Sequence, residues 1–243
     1  MLDMHCHLLP GIDDGPSTLD QSICLAKHAV AHGITHAVLT PHIQPGRYNN
    51  DVQSIARVGR VFKAALESNA IPLQIALAAE VRLCAELVGM VQQENFHEIC
   101  VGQLGGDRIL LLEFPHSHLP PGSEQLVQHL LGHNIRPMIA HPERNKTMHH
   151  SPDRLAAFIS MGCLVQLTAG SVVGDFGIKS QKCAQYFLKQ GWVNVLATDA
   201  HNLNSRPPEL LEGVAAAANI IGKDAADKLV NASAFEIAGC KFH

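Results

Sequence analysis

The apolar, β-favouring runs of this chain end repeatedly on a histidine or a carboxylate. DMHCH closes on His5 and His7, HAVLTPH on His42, and LQIALAAE on Glu80. ILLLE closes on Glu113, PMIAH on His141, and VNVLATDAH on Asp199 and His201. Short β-rich runs that alternate with helical patterns predict a parallel sheet with right-handed helical crossovers. In an α/β barrel the functional groups gather at the C-terminal ends of the strands. The polar closures therefore predict strands that converge on one face and carry a shared site there.

The 243 residues fit one barrel-sized domain, 1–243. Strands are expected at about Leu2–His5 and in ITHAVLT, LQIALAAEV, ILLLEF, RPMIAH, CLVQLTA and VNVLAT. The first helix should run to about His32, where Gly33 is a natural stop. Asn49 or Asn50 is expected to cap the helix that runs to about Asn69. Ser151 with Pro152 is expected to cap another. The stretch Val91–Asp107 has the least clear pattern.

His5 and His7 are two apart, so on a strand both point to one side and Cys6 to the other. A lone HxH is weak evidence. Asp14 follows in GIDDGP, with Asp13 beside it as an alternative turn residue. Together His5, His7, Asp14, His42, Glu80, Glu113, His141, Asp199 and His201 form five imidazoles and four carboxylates. Like-charged carboxylates at one strand end repel unless cations or protons lie between them. The four carboxylates supply four negative charges, and three divalent cations would leave an excess of about +2 for a phosphate dianion. Mixed imidazole and carboxylate donors suit Mn2+, Fe, Co2+ or Zn2+ better than Mg2+ or Ca2+. Arg144, three residues past His141, and Arg206, five past His201, extend the set. Guanidinium groups beside such a cluster point to bidentate recognition of phosphate or carboxylate oxygens.

Other chemistries are excluded by pattern. No cysteine is followed by Arg six positions later, so a cysteine phosphatase loop is absent. Ser171 in AGSVVG is not a nucleophile elbow, and there is no GxxxxGK[ST] phosphate loop. A net charge of −4 with no basic stripe argues against nucleic acid. The seven cysteines show no CxxC spacing, which suits reduced thiols. The N-terminus has no basic and apolar leader pattern, and no apolar run reaches the about 20 residues of a membrane span. A cytoplasmic location is expected. The pairs His28/His32 and His129/His133 lack a third ligand nearby and are read as solvent-facing helix residues. His116 and His118 are assigned only to a loop near the mouth.

The motifs DMHCHLLPGIDDGP, TPH, AAEV, LLEFPH, IAHPER, QLTAGSVVGDFG and ATDAHNLNSRPP together resemble the PHP (polymerase and histidinol phosphatase) superfamily. Within it they resemble the CpsB/CapC-type protein-tyrosine phosphatases of capsule and exopolysaccharide synthesis, over essentially the whole chain. The resemblance implies a distorted (β/α)7 barrel holding up to three ions, Mn2+ first, with Fe, Co2+, Zn2+ or Mg2+ as alternatives. It implies one ion on His5, His7, Glu80 and Asp199. A second would share Glu80 with Glu113 and His141, and a third would lie on Asp14, His42 and His201. Arg144 and Arg206 match the phosphate-binding arginines. A hydroxide bridging two cations is the implied nucleophile.

The implied partner is a phosphotyrosine protein, the tyrosine-rich tail of a bacterial tyrosine kinase. A homo-oligomer is left open. The chain departs from the family pattern at Cys6, Ile43, Asn145 and Thr168, none of them a proposed ligand. The alternatives are a histidinol-phosphate or other small-molecule phosphatase, a proofreading module, and a non-catalytic scaffold.

Overall fold

The computed structural model describes residues 1–242. Ten strands follow in chain order: β1 Leu2–Cys6, β2 His36–Leu39, β3 His42–Ile43, β4 Gln74–Leu77, β5 Glu80–Arg82, β6 Gly102–Leu104, β7 Asp107–Glu113, β8 Ile135–Ala140, β9 Leu164–Thr168 and β10 Val195–Ala197. β1 pairs with β2 and β2 with β4; β3 pairs with β5, and β5, β7, β8, β9 and β10 continue in order, all parallel. A parallel bridge between Cys6 and Ala200 brings the first strand back to the last. The staves are therefore β1, β2 with β3, β4 with β5, β7, β8, β9 and β10, which is the expected distorted (β/α)7 barrel.

The distortion has a local cause. HAVLTPH and LQIALAAE each read as one run, but Thr40–Pro41 and Ala78–Ala79 interrupt them, and the two halves join different sheets. Pro41 has no amide to offer a ladder, which favours a break there.

Alternation fills the barrel. Ile109 and Leu111 on β7, Met138 and Ala140 on β8, Leu164 on β9, and Val195 and Ala197 on β10 share one buried interior cluster with Leu2 and Met4. Their neighbours Leu110, Leu112, Ile139, Val165, Leu167 and Leu196 belong to the outer cluster under the helices. Ala234, Ile237 and Ala238 from the Ala232–Ala238 helix join the interior cluster beside the starts of β1 and β10. Gly102 permits this approach, because a Cβ there would lie 2.0 Å from the Ile237 carbonyl oxygen.

One expectation is corrected, a second is refined, and the stretch of unclear pattern is filled in. The Val52–Ser68 helix is capped by Asp51, not Asn49 or Asn50: Asp51 accepts from the Ser54 amide, and the Ser54 hydroxyl accepts from the Asp51 amide. Asn50 instead donates its side-chain amide to the carbonyls of Ile12 and His42, at 2.9 and 2.8 Å. Ser151 stands before a 3-10 turn, Pro152–Arg154, and makes no side-chain capping bond; the helix proper is Leu155–Ser160. The obscure stretch holds a 3-10 segment, Glu94–Ile99, and β6, which pairs antiparallel with β7 through the Gly105–Gly106 turn. Both glycines have positive φ, the backbone that a tight hairpin needs.

Among the described residues all seven cysteines are unpaired, and no helix is long and apolar enough to cross a membrane.

Candidate metal centre

The interior rows that begin apolar end on the site. Ile109 and Leu111 lead to Glu113, Leu164 to Gln166, and Val195 with Ala197 to Asp199, each by steps of two. On β1 the pairing register shifts between Asp3 and Cys6. Cys6 consequently lies in the outer core, while His5 and His7 face the barrel mouth. By alternation after Ala140, His141 would point outward. Its φ of 32° turns the backbone into the left-handed region, and its Nε2 lies 2.8 Å from Glu80 Oε1. Asp199 has φ 52°. Two of the four non-glycine residues with positive φ are thus predicted ligands, and such strain concentrates at functional sites.

All nine predicted ligands converge. His5 Nε2 lies 3.1 Å from His7 Nε2 and 3.3 Å from both Glu80 Oε2 and Asp199 Oδ1. His7 Nε2 lies 3.3 Å from the same Glu80 oxygen and 3.4 Å from the same Asp199 oxygen. His42 Nε2 and His201 Nε2 each lie 3.3 Å from Asp14 Oδ1. His42 Nδ1 is 3.0 Å from Glu80 Oε2 and 3.8 Å from Glu113 Oε2. The first grouping, His5, His7, Glu80 and Asp199, is the implied one. The Asp14, His42 and His201 set gains His7; Glu113 and His141 group with His116 in place of the implied Glu80, which meets Glu113 beside His42.

The donor set fits cations. His5 Nδ1 donates to Gln166 Oε1 at 2.9 Å, and His7 Nδ1 donates to Asp13 Oδ2 at 2.7 Å. In the neutral rings both Nε2 atoms then carry lone pairs. Two lone pairs and two carboxylate oxygens meet within 3.4 Å. Ligands about 2.1 Å from one ion lie about 3.0–3.4 Å from each other. His42 Nδ1, Glu80 Oε2, Glu113 Oε2 and His201 Nε2 are buried and make no hydrogen bond. Buried polar atoms left so are rare without an ion or water to receive them.

The titration of the same groups reflects their crowding. Burial and the nearby Glu80 push Glu113 up to about 7. Burial opposes charge on His42, yet Glu80 and Asp14 hold it at about 9. Burial and the Arg144 guanidinium press His141 down to about 3.

Arg144 and Arg206 meet at one carboxylate. Their Nη1 atoms lie 2.5 and 3.3 Å from Asp199 Oδ2. Arg144 is buried, with its guanidinium 4.8 Å from the Phe176 ring centre. Both line an open cleft of about 700 Å3 together with Lys146, Phe176, Ile178 and Lys179.

The CpsB/CapC capsular polysaccharide synthesis model matches residues 1–238. The chain belongs to this family. Among CpsB/CapC relatives, the tyrosine-protein phosphatase YwqE of Bacillus subtilis (strain 168) is 32% identical over 206 residues, 85% of this chain and 79% of its own. The tyrosine-protein phosphatase CpsB of Streptococcus agalactiae (serotype III, strain NEM316) is 26% identical over 234 residues, 94% of each chain. A solved structure reported with YwqE of Bacillus subtilis and CpsB of Streptococcus pneumoniae, described as unique metal-dependent tyrosine phosphatases, superposes with a TM-score of 0.87 at 28% identity. It covers 98% of this chain and 94% of its own. The lactonase Lmo2620 of Listeria monocytogenes reaches a TM-score of 0.52 at 13% identity, a likeness of fold alone.

Around this CpsB/CapC site stand residues that sequence reasoning did not assign. Asp13 accepts from His7 and from the amides of Gly15 and His42, so it orients ligands while Asp14 joins them. Gln166 orients His5. Arg82 Nη2 lies 2.9 Å from Glu113 Oε2, a third guanidinium at the cluster. The His116 ring stacks on His141 with centres 5.6 Å apart, and that of Tyr48 on His42 at 5.3 Å. The polar closure of each run was the main signal, and none of Asp13, Gln166 or Arg82 closes one.

Proposed function

We propose that this chain is a metal-dependent protein-tyrosine phosphatase that acts on the tyrosine-rich tail of a bacterial tyrosine autokinase controlling polysaccharide synthesis. The observation that carries the reading is the clustering of nine candidate ligand side chains, with Arg144 and Arg206, both lining an open cleft, meeting at the Asp199 carboxylate of that cluster. The tyrosine phosphatase names of its CpsB/CapC relatives support the substrate class.

His5, His7, Asp14, His42, Glu80, Glu113, His141, Asp199 and His201 would hold up to three divalent ions, Mn2+ first, with Fe, Co2+, Zn2+ or Mg2+ as alternatives. Bound cations would acidify water to a nucleophile and neutralise phosphate charge. Asp13 and Gln166 fix the tautomers of His7 and His5 so that Nε2 remains the donor atom. Arg144 and Arg206 would grip the nonbridging phosphate oxygens, trading their hold on Asp199 for the dianion. Phe176 and the exposed Ile178 offer an apolar wall to the tyrosyl ring, and Lys146 and Lys179, on the same cleft, would favour a substrate with acidic residues beside the phosphotyrosine. A phenol, with a pKa near ~10, leaves without a strong general acid.

This cleft favours an aryl phosphate on a peptide over histidinol phosphate, whose leaving alkoxide and imidazole gain nothing from an apolar, cationic wall. We take residues 1–243 to act as one catalytic domain in the cytoplasm, where the unpaired cysteines would stay reduced.

The deciding experiment compares phosphate release from a phosphotyrosine peptide and from histidinol phosphate, with Mn2+ and with a chelator. Higher kcat/KM for the peptide, lost on chelation, is expected. Preference for histidinol phosphate would move the enzyme to small-molecule metabolism, and turnover that survives chelation would overturn the metal mechanism.

A further inference from the structure

His28 and His32 stand four apart at the end of the Leu19–Ala31 helix, so their rings share one face. The sequence offers no third ligand near them. The fold brings one from the other end of the chain. Glu209 follows the segment that carries Arg206 and precedes the Leu211–Ile221 helix. Its Oε1 lies 2.5 Å from His28 Nε2 and 3.7 Å from His32 Nε2. The two rings stack with centres 4.0 Å apart. His32 Nδ1 donates to the His28 carbonyl at 2.9 Å, so the Nε2 of its neutral ring presents a lone pair toward the carboxylate. One shared proton satisfies the His28–Glu209 contact but leaves the His32 lone pair facing an anionic oxygen. A cation among the three would satisfy all of them.

We propose that His28, His32 and Glu209 form a second transition-metal site, separate from the barrel centre. None of the three belongs to the ligand groups at the strand ends. Two imidazoles and one carboxylate, each about one-third exposed, leave a coordination position open to water. That donor set suits Zn2+. Mn2+ lies at the weak end of the divalent series for such ligands, so Mn2+ levels that serve the barrel leave this site to Zn2+. An ion here would tie the first helix to the segment bearing Arg206, on opposite ends of the sequence.

The test counts zinc. Wild type, His28→Asn/His32→Asn and Glu209→Gln are dialysed against equal Zn2+ and analysed for metal per chain. Wild type should retain one more ion than the double variant, and Glu209→Gln should bind that ion at least tenfold more weakly. Both variants should keep Mn2+-dependent turnover of a small aryl phosphate, which verifies their fold. Equal zinc content in wild type and a folded double variant would reduce the cluster to an ion pair and overturn the proposal. Should the double variant fail to fold, Glu209→Gln decides alone, and unchanged zinc content in it overturns the proposal as well.

Discussion

Asp199 is where the most interactions meet. Its two oxygens face His5, His7, His201, Arg144 and Arg206, and its backbone is held at positive φ. Asp199→Asn keeps the shape and removes the charge. Kinetics should then show kcat reduced more than about 100-fold, with metal content lowered, since a ligand carboxylate anchors both. Circular dichroism should remain native; wild-type turnover would remove Asp199 from the site. Arg206 is partly exposed, and its guanidinium pairs with Asp14 and Asp199 while its backbone carbonyl, kept in an alanine variant, holds the His201 amide, so loss of the side chain should spare the ions. Arg206→Ala should cost about 10–100-fold in kcat/KM, the worth of one charge-assisted hydrogen bond of about 1.5–3 kcal/mol. Metal content measured alongside should be unchanged, and a loss would make Arg206 a structural brace. At this scale the sequence named eight of the nine candidate ligands because each closes an apolar run. It took Asp14 as the ligand and read Asp13 only as an alternative turn residue, because adjacent carboxylates in a loop are separated only by where the loop folds. The structure gives Asp13 to His7 and Asp14 to His42 and His201.

At the scale of elements, the strands aim and the connecting segments select. Rigid rows from β7, β9 and β10 deliver Glu113, Gln166 and Asp199, while Lys146, Phe176, Ile178 and Lys179 come from the connections after β8 and β9. Selectivity should therefore change without loss of chemistry when those connections change. Lys146→Glu/Lys179→Glu should raise KM for an acidic phosphotyrosine peptide several-fold while leaving kcat for a small aryl phosphate near wild type. Steady-state kinetics on both substrates measures this; an equal loss on both would place the lysines in the chemistry instead. Element boundaries were less legible than element types. Asp51 won the cap over Asn49 and Asn50 because its side chain reaches Ser54, while Asn50 is drawn away to the carbonyls of Ile12 and His42. β6 escaped prediction because its three residues, with a glycine first, carry no period.

For the whole molecule, one of the four candidate ligand carboxylates is a destabilising feature: against the effect of burial, histidines hold Asp14 and Glu80, and Arg144 with histidines holds Asp199, below the usual carboxylate range, whereas Glu113 is pushed up. Burial, and then the nearby buried Glu80, raise the pKa of Glu113 to about 7. Metal that binds only the folded chain stabilises it by mass action, about 2.7 kcal/mol at a hundredfold excess over Kd. Scanning calorimetry should accordingly show Tm falling on chelation and rising with added Mn2+. A Tm indifferent to both would mean that the site is satisfied by protons alone.

The sequence by itself determined the alternation of strand and helix, the barrel class, and the eight candidate side chains that close the strands, with Asp14 in the loop after the first. Those are local facts, set by hydrophobic period and by residue type at the end of each run. Tertiary structure alone decided what is adjacent across the barrel. It split two apparent strands at Thr40–Pro41 and Ala78–Ala79, turned His141 inward through a left-handed backbone, and added Arg82, His116 and Gln166 to the centre. It also carried Glu209 to a histidine pair at the far end of the chain. The physical reason is that contact between residues remote in sequence depends on closure of the sheet, which no local pattern encodes.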